Sequence, residues 1–273
     1  MAINIDRGEI LHPVEVDLLC FFAEVQPPFP LEIPATGETD LERQVIFSGA
    51  REQLSERGLA DDDGPLGVAD DFVYLLRNST GVLDLMLAEE KPTFSAVVLT
   101  YRDEALLVTQ DATDPNMLVR MKPLTLDDAV DELVNLVPTL EAPMTAPFNL
   151  PRAALENTFA AIAARIPDTE DDEPDPMTPE EVDDLLRHNG IDDRIARRMV
   201  SHLQPVLGNG QAGTARRDDT EDQWHRTGDE LRWLDTPRGR FRLAEDGEWI
   251  SVNPLPRDEI RAVLRKLASS IRG

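Results

Sequence analysis

The feature that most constrains this fold is an internal sequence repeat. The stretch "NMLVRMKPLTLDDAVDELVNL" recurs 131 residues later as "GEWISVNPLPRDEIRAVLRKL", with Pro123 aligned to Pro254 and Leu124 aligned to Leu255. In each copy an apolar run precedes the Pro-Leu break, and leucines at helical spacing follow it. Neither copy contains a nucleophile, a metal-ligand set or a phosphate-binding loop. We therefore interpret it as a duplicated strand–turn–helix scaffold, with chance resemblance as the alternative.

The rest of the chain predicts helices and short strands in a matching order. In the first half we expect helices over 13–25, 40–57 and 69–79, four strands within 82–121, and a helix over 126–137. In the second half we expect a helix within 151–166, helices over 179–188 and 192–207, strands at 213–218, 230–235, 239–244 and 248–252, and a last helix from 256 to 271. In the helix 40–57, Asp40 is the expected N-cap, and Leu41, Val45 and Leu54 are expected to share a face.

Each half thus contains helices, a four-stranded meander and a closing helix. A meander exposes one face and one edge, and pairing two of them about a pseudo-two-fold axis buries both. The predicted fold is α+β: a quasi-two-fold pair of antiparallel β-meander/helix units that form a central sheet with flanking helices. We expect an N-terminal half over 1–150 and a C-terminal half over 151–273, packed as one domain. The acidic linker 167–177 is expected to be solvated and protease-sensitive.

Net charge limits the kinds of partner that this chain can bind, and cysteine content and hydropathy indicate its compartment. The chain carries −26, and residues 181–273 hold 16 basic and 17 acidic residues, so nearly all the excess lies in the first 180 residues. Such a field repels phosphate backbones and anionic lipid, which argues against nucleic acid and membrane partners. There is one cysteine, Cys20, and we find neither a signal peptide nor an apolar run of membrane-spanning length. We expect a cytoplasmic protein.

Residues that could perform chemistry are few and scattered. The four histidines (His12, His188, His202 and His225) match no metal-ligand spacing, and Cys20 lies in an apolar helix that favours a buried thiol. The carboxylate pair Asp127/Asp128 falls in the first turn of a predicted helix, where the helix dipole explains it. We therefore expect no catalytic residue, no metal and no cofactor.

The C-terminal segment "LRWLDTPRGRFRLAEDGEWISVNPLPRDEIRAVLRKL" resembles the closing segment of the EspG family of type VII (ESX) secretion chaperones. The residues that carry the resemblance are structural in character: Asp235, Gly239, Arg240, Phe241, Trp249 and Pro254. "AREQLSERGLADDDGPL" near the N-terminus is similar to a family helix that ends in Arg-Gly-Leu with an acidic turn, and the likeness extends from about residue 10 to 271.

The resemblance implies a quasi-two-fold architecture with a C-terminal helical bundle, in an actinobacterial protein. It also implies a cytosolic chaperone that binds a PE–PPE heterodimer through its PPE subunit and shields an apolar helical tip until export. Two other hypotheses stay open at this point. One is an enzyme of unrecognised type with an acidic metal site, and the other is a structural subunit of a larger complex.

Helix 192–207 is the candidate contact with a partner. A stripe of Ile191, Ile195, Met199 and Leu203 is expected to pack inward. Arg198, His202 and Val206 would then lie on the neighbouring face, near the strand that carries Trp233, and we expect these four residues to bind the partner.

Tryptophans Trp233 and Trp249 need separate interpretations. Trp233 could lie in the core or on the binding surface, and its candidacy as a partner contact depends on the second reading. Trp249 begins the duplicated strand, so core packing is expected for it.

Overall fold

A computed structural model describes residues 8–89, 92–102, 104–163, 178–189, 191, 193–218 and 223–272, so the predicted linker 167–177 lies outside the described residues. The first half contains β1 (Glu9–Leu11), α1 (Pro13–Ala23), α2 (Asp40–Glu56), α3 (Val68–Asn78), β2 (Gly81–Ala88), β3 (Pro92–Tyr101), β4 (Glu104–Asp111), β5 (Val119–Leu124) and α4 (Leu126–Leu136). The second half contains β6 (Phe148–Pro151), α5 (Arg152–Ala163), α6 (Pro179–His188), α7 (Asp193–Leu203), β7 (Gly208–Asp218), β8 (Gln223–Thr236), β9 (Gly239–Asp246), β10 (Trp249–Pro254) and α8 (Arg257–Ile271). Each half is one strand, three helices, a four-stranded meander and a helix.

The strands form one sheet in the order β1-β5-β4-β3-β2-β7-β8-β9-β10-β6. The two meanders therefore run outward in opposite directions from the central neighbours β2 and β7, and β1 and β6 occupy the two edges. This arrangement confirms the predicted α+β fold with a large antiparallel sheet. It also gives the two copies the same strand order, as duplication requires.

Strand register repeats as well as strand order. In the first meander Leu106 of β4 lies opposite Leu99 on one side and Pro123 on the other. In the second, Phe241 of β9 lies opposite Leu234 and Pro254. Because a one-residue slip would turn every side chain to the other face, equal registers place the equivalent residues of both copies on equivalent faces.

The sequence did not predict the edge strands β1 and β6. Leu11 of β1 pairs with Val119, and Leu150 of β6 pairs with Ile250, the residue equivalent to Val119 in the second copy. Both leucines are buried. The repeat therefore begins one strand earlier in each half than the sequence indicated.

Helix starts follow ordinary capping chemistry. In α1, α2 and α6 the N-cap side chain accepts a backbone hydrogen bond while a glutamate three residues on accepts one in return, and these pairs are His12/Glu15, Thr39/Glu42 and Thr178/Glu181. In α4, Thr125 accepts from the Asp128 amide at 3.2 Å. Each pair satisfies backbone donors that the first helical turn leaves open.

The chain folds into two compact units, and these do not coincide with its two halves. One unit comprises Met1–Thr139, Gly210–Glu230 and Asp258–Gly273, and the other comprises Leu140–Asn209 and Leu231–Arg257. The division into 1–150 and 151–273 therefore describes the repeat in chain order, and its packing as one domain stays a prediction.

In the first unit, α1 packs against α2 and α3, and these helices share a core with one face of the sheet. Its centre includes Leu19, Phe72, Leu76, Val97 and Val108. Helix α4 packs against β3 and β4. Two ion pairs join α8 to α4, from Arg261 and Arg265 to Asp131 (3.4 and 3.6 Å), and Arg272, which follows α8, pairs with Asp127 of α4 (3.7 Å).

In the second unit, helix α6 packs against both α5 and α7, which forms the helical bundle of the second half. A core of Phe148, Leu150, Leu186, Ile191, Ala196, Met199, Leu203, Phe241 and Val252 joins this bundle to β6, β9 and β10. These contacts fix α7 against the sheet of its own unit.

Two details of the predicted helices are wrong. Helix α2 is capped by Thr39 rather than Asp40, and Leu41 and Val45 are exposed although Leu54 is buried. At about 100° per residue, Val45 and Leu54 point in opposite directions, and Leu41 lies about 140° from Leu54. Helix α7 ends at Leu203, because Pro205 lacks an N–H and disfavours the helical conformation of the residue before it.

Candidate partner-binding site

The inward stripe of α7 is confirmed. Ile191, Met199 and Leu203 are buried, and Ile195 is half-buried against the same cluster. This orientation puts Arg198 and His202 on the flank of the helix that faces the segment before β6. The sequence thus predicted which face of α7 packs on the core of its own unit.

Arg198 and His202 are used to hold that segment in place. The Arg198 guanidinium donates to the Ala146 carbonyl at 2.8 Å and lies 4.7 Å from the centre of the Phe148 ring. The His202 ring lies 6.1 Å from Phe148, and its Nε2 is 3.3 Å from the Thr145 hydroxyl. Both side chains therefore help to shape the surface around residues 144–146 and lie at the margin of that surface.

Val206 follows the end of α7 and is exposed, as is its neighbour Leu207. The Leu207 amide donates to the Asp235 carbonyl at 2.8 Å, so the segment is fixed to the start of the β8–β9 turn. Val206 is available to a partner, and Leu207 offers a second aliphatic side chain beside it.

Trp233 is in the interior, which corrects its predicted role as a partner contact. Its side chain is 1% exposed, and the Arg240 guanidinium lies 5.7 Å from the ring centre. In β8 the buried Leu231 and Trp233 alternate with the exposed Arg232, so the tryptophan belongs to the inward face of the strand.

Trp249 is 48% exposed, which contradicts its predicted place in the core. Ile250 and Val252 take the inward positions of β10, so the residues that alternate with them point to the other face. Trp249 therefore lies on the surface, and Trp233, for which the sequence left both core and binding surface open, lies in the core.

Asp235, Gly239 and Arg240 of the structural motif build the β8–β9 turn. Arg240 is buried and donates twice to the Asp235 carboxylate, at 2.6 and 2.7 Å, in a bidentate pair. Phe241 is fully buried in the core of the second unit, where Pro254 lies opposite it in β10. This bidentate pair between a buried guanidinium and a half-buried carboxylate fixes the geometry of the turn, because removal of either partner leaves the other charge without compensation.

Gly239 brings a second segment onto this turn. Its φ of +126° is a conformation that side-chain-bearing residues avoid, and a Cβ there would overlap the Glu141 carbonyl oxygen and lie 2.9 Å from the Pro143 nitrogen. The adjacent Arg240 amide donates to the same Glu141 carbonyl at 3.1 Å. Glycine is required here by a close approach of two backbones.

The β8–β9 turn therefore anchors two surface segments, 141–146 and 204–207. Three of their large apolar side chains are exposed, namely Met144, Val206 and Leu207, and we name these three the hairpin surface. Exposed apolar groups on a rigidly held frame are suited to bind a partner by burial of apolar area.

Groups that could perform acid–base or metal chemistry do not converge on this surface. Across the part of the chain that the structure describes, no three His, Cys, Asp or Glu side chains lie together as a metal-binding group. Burial, together with the charge of Asp17, raises the pKa of the Cys20 thiol to about 12, so this thiol is not a nucleophile near neutral pH. Among the described helices, none has the length and apolar character to span a bilayer.

The sequence profile of the EspG family matches residues 12–266. The chain belongs to the EspG family. The matched range includes every residue of the β8–β9 turn and of the hairpin surface. No curated protein matches the sequence.

A solved structure supports the EspG fold independently. The Mycobacterium tuberculosis type VII secretion system chaperone EspG5, determined in complex with a PE25–PPE41 dimer, superposes with a TM-score of 0.64 over 97% of this chain and 97% of that one. The two sequences are 10% identical, so the likeness establishes the fold.

Met144 and Leu207 are the members of the hairpin surface that sequence reasoning missed. Both are large apolar residues in proline-containing segments between elements: "EAPMTAP" for Met144 and "QPVLG" for Leu207. An apolar residue placed where no regular element can bury it was the available signal.

Proposed function

We propose that this protein is a cytoplasmic chaperone of type VII secretion that binds a PE–PPE heterodimer through the PPE subunit. It covers an apolar helical tip of the client and keeps the client soluble until export. The observation that carries the proposal is the EspG family match over residues 12–266. The solved EspG5 complex with a PE25–PPE41 dimer supports the same class of client.

The hairpin surface is the part of the molecule to which we assign client binding. An exposed apolar helix tip is prone to aggregate, and burying it against apolar side chains removes that area from water. Met144, Val206 and Leu207 are exposed, while the Asp235–Arg240 pair, with its buried guanidinium, holds the turn to which their segments are bonded. Little conformational order has to be gained on binding, which favours affinity.

The test is calorimetric titration of the matched PE–PPE dimer from the source genome against the wild type and a Val206→Asp/Leu207→Asp variant. Buried aspartates in an apolar contact leave charges without compensation. We expect the double variant to weaken binding by about 4 kcal/mol, the size of two hot spots. Circular dichroism of each variant checks that it is folded.

A matched control reverses two charges in an exposed loop of the other unit, Asp62→Lys/Asp63→Lys. This control changes the total charge of the protein more than the test variant does. We expect it to change the free energy of client binding by less than about 1 kcal/mol, because exposed charges are screened. Loss of binding in the control with retention in the Val206/Leu207 variant would place the contact elsewhere. Absence of binding by the wild type would reject the proposed function itself.

A further inference from the structure

The outer face of α2 carries an apolar ridge that nothing in the described chain covers. Leu41 is 72% and Val45 is 66% exposed, whereas Phe47, Ala50 and Leu54 are buried on the opposite face. Aliphatic side chains four residues apart form the kind of ridge with which helices pack against each other. Helix α2 therefore presents one apolar face to its own core and another to solvent.

Gly49 continues this ridge one turn further on. No heavy atom lies within 4 Å of the place where its Cβ would be, so nothing among the described residues requires a glycine there. Glycine in a helix interior lowers stability relative to alanine. A missing side chain in line with Leu41 and Val45 permits another helix to approach the backbone closely.

Carboxylates border the ridge at its C-terminal end. Glu52 and Glu56 are exposed and the described residues provide no partner for them, while Arg43 and Arg51 of the same helix bind Asp17 and the carbonyls of the following loop. Negative charge near a helix C-terminus is unfavourable to the helix dipole, and the last turn of α2 has no basic residue. These acids destabilise the free helix and complement a cationic neighbour.

We propose that the outer face of α2 is a docking surface for a basic amphipathic helix of a protein partner. The apolar face of that helix packs on Leu41 and Val45 and crosses at Gly49, and its Lys or Arg side chains pair with Glu52 and Glu56. These residues are distinct from those of the hairpin surface, so the docking surface does not depend on the proposed client. An anionic membrane is disfavoured as the occupant because the same carboxylates would repel it.

The test uses a labelled helical peptide of ~20 residues with Leu and Ala on one face and Lys on both flanks, and a counterpart with Glu in place of Lys. By fluorescence anisotropy we expect the Lys peptide to bind and the Glu peptide not to bind. Val45→Asp should abolish binding although it adds negative charge. Gly49→Ala should weaken binding about tenfold by blocking close approach, while raising the Tm of the free protein by about 2 °C.

Charge is tested by Glu52→Gln/Glu56→Gln, which should weaken binding roughly threefold to tenfold and reduce its salt dependence. The matched control, Asp62→Asn/Asp63→Asn, removes the same charge from a loop outside α2 and should leave binding unchanged. Equal or tighter binding by Val45→Asp would show attraction to the overall acidic field and overturn the proposal. A concentration-dependent dimer that Val45→Asp dissociates would make a second copy the occupant and also overturn it.

Discussion

Asp84 is a buried carboxylate in the middle of β2, where most neighbours are aliphatic. It forms an ion pair with Arg226, which also pairs with Glu230 and lies 5.5 Å from the centre of the Phe29 ring. Gly213 leaves room for the guanidinium, because a Cβ there would lie 3.0 Å from its central carbon. Burial raises the pKa of Asp84 to about 7, and the hydrogen bond and charge of Arg226 oppose part of that rise.

This pKa predicts how Asp84 affects stability as pH changes. The folded-state pKa of about 7 exceeds the unfolded value of ~3.9, so the folded state binds the extra proton between these limits. The contribution of Asp84 is therefore fully present below about pH 4 and is lost as pH rises through about 7. In Asp84→Asn this dependence disappears. We expect the Tm of the variant, relative to wild type, to increase steadily over that window in differential scanning calorimetry, and parallel curves would contradict the assignment.

At the level of elements, periodic segments were predictable and short edge strands were not. Most meander strands and helices alternate or repeat apolar residues over their length, so pattern alone places them within a few residues. β7 and β8 are exceptions, because they begin at Gly208 and Gln223, well before their predicted starts at 213 and 230. β1 and β6 have three and four residues, too few to show a period, and they exist because β5 and β10 offer unpaired edges. Their formation depends on partners that are distant in sequence.

Part of the site could also have been derived from the pattern. The stripe of α7 follows from helical spacing, and the sequence "WISVN" already alternates Trp249 and Ser251 with Ile250 and Val252. Strict use of that alternation predicts an exposed Trp249. The hairpin surface could not be derived in this way, because Leu207 and the segment that carries Met144 are held by hydrogen bonds to a turn that lies elsewhere in the sequence.

The β8–β9 turn predicts a sharp difference between two glycines. Gly239→Ala adds strain at positive φ, about 1–3 kcal/mol, and a clash with the Glu141 carbonyl of a further 1–3 kcal/mol or so. Gly247→Ala in the next turn also has positive φ, but its Cβ enters open space, so strain alone is expected. Urea unfolding curves of the two variants measure the difference. Equal losses would mean that the 141–143 segment does not press on Gly239.

For the whole molecule, the repeat and the compact units divide the chain differently. The first unit takes β7, part of β8 and α8 from the second half of the chain. Arg217 donates to the Arg77 carbonyl at 2.6 Å, and Ile271 packs where Gly81 has no side chain. Strand β2 needs β7 beside it in the sheet, since its other edge is already paired with β3.

Because of this interleaving, neither half of the repeat is expected to fold alone. Fragment 1–150 would expose the β2 edge that pairs with β7 and would lose the ion pairs of α4 with Arg261 and Arg265 of α8, so we expect it to aggregate or to unfold without cooperativity. Near-UV circular dichroism and thermal melts of fragments 1–150 and 151–273, made separately and then co-expressed, measure this. The co-expressed pair is the control, and it should co-purify with a native-like spectrum because every strand pairing is restored. A cooperative transition in fragment 1–150 alone would show that the first half is an independent folding unit, and that its contacts with β7 and α8 are dispensable.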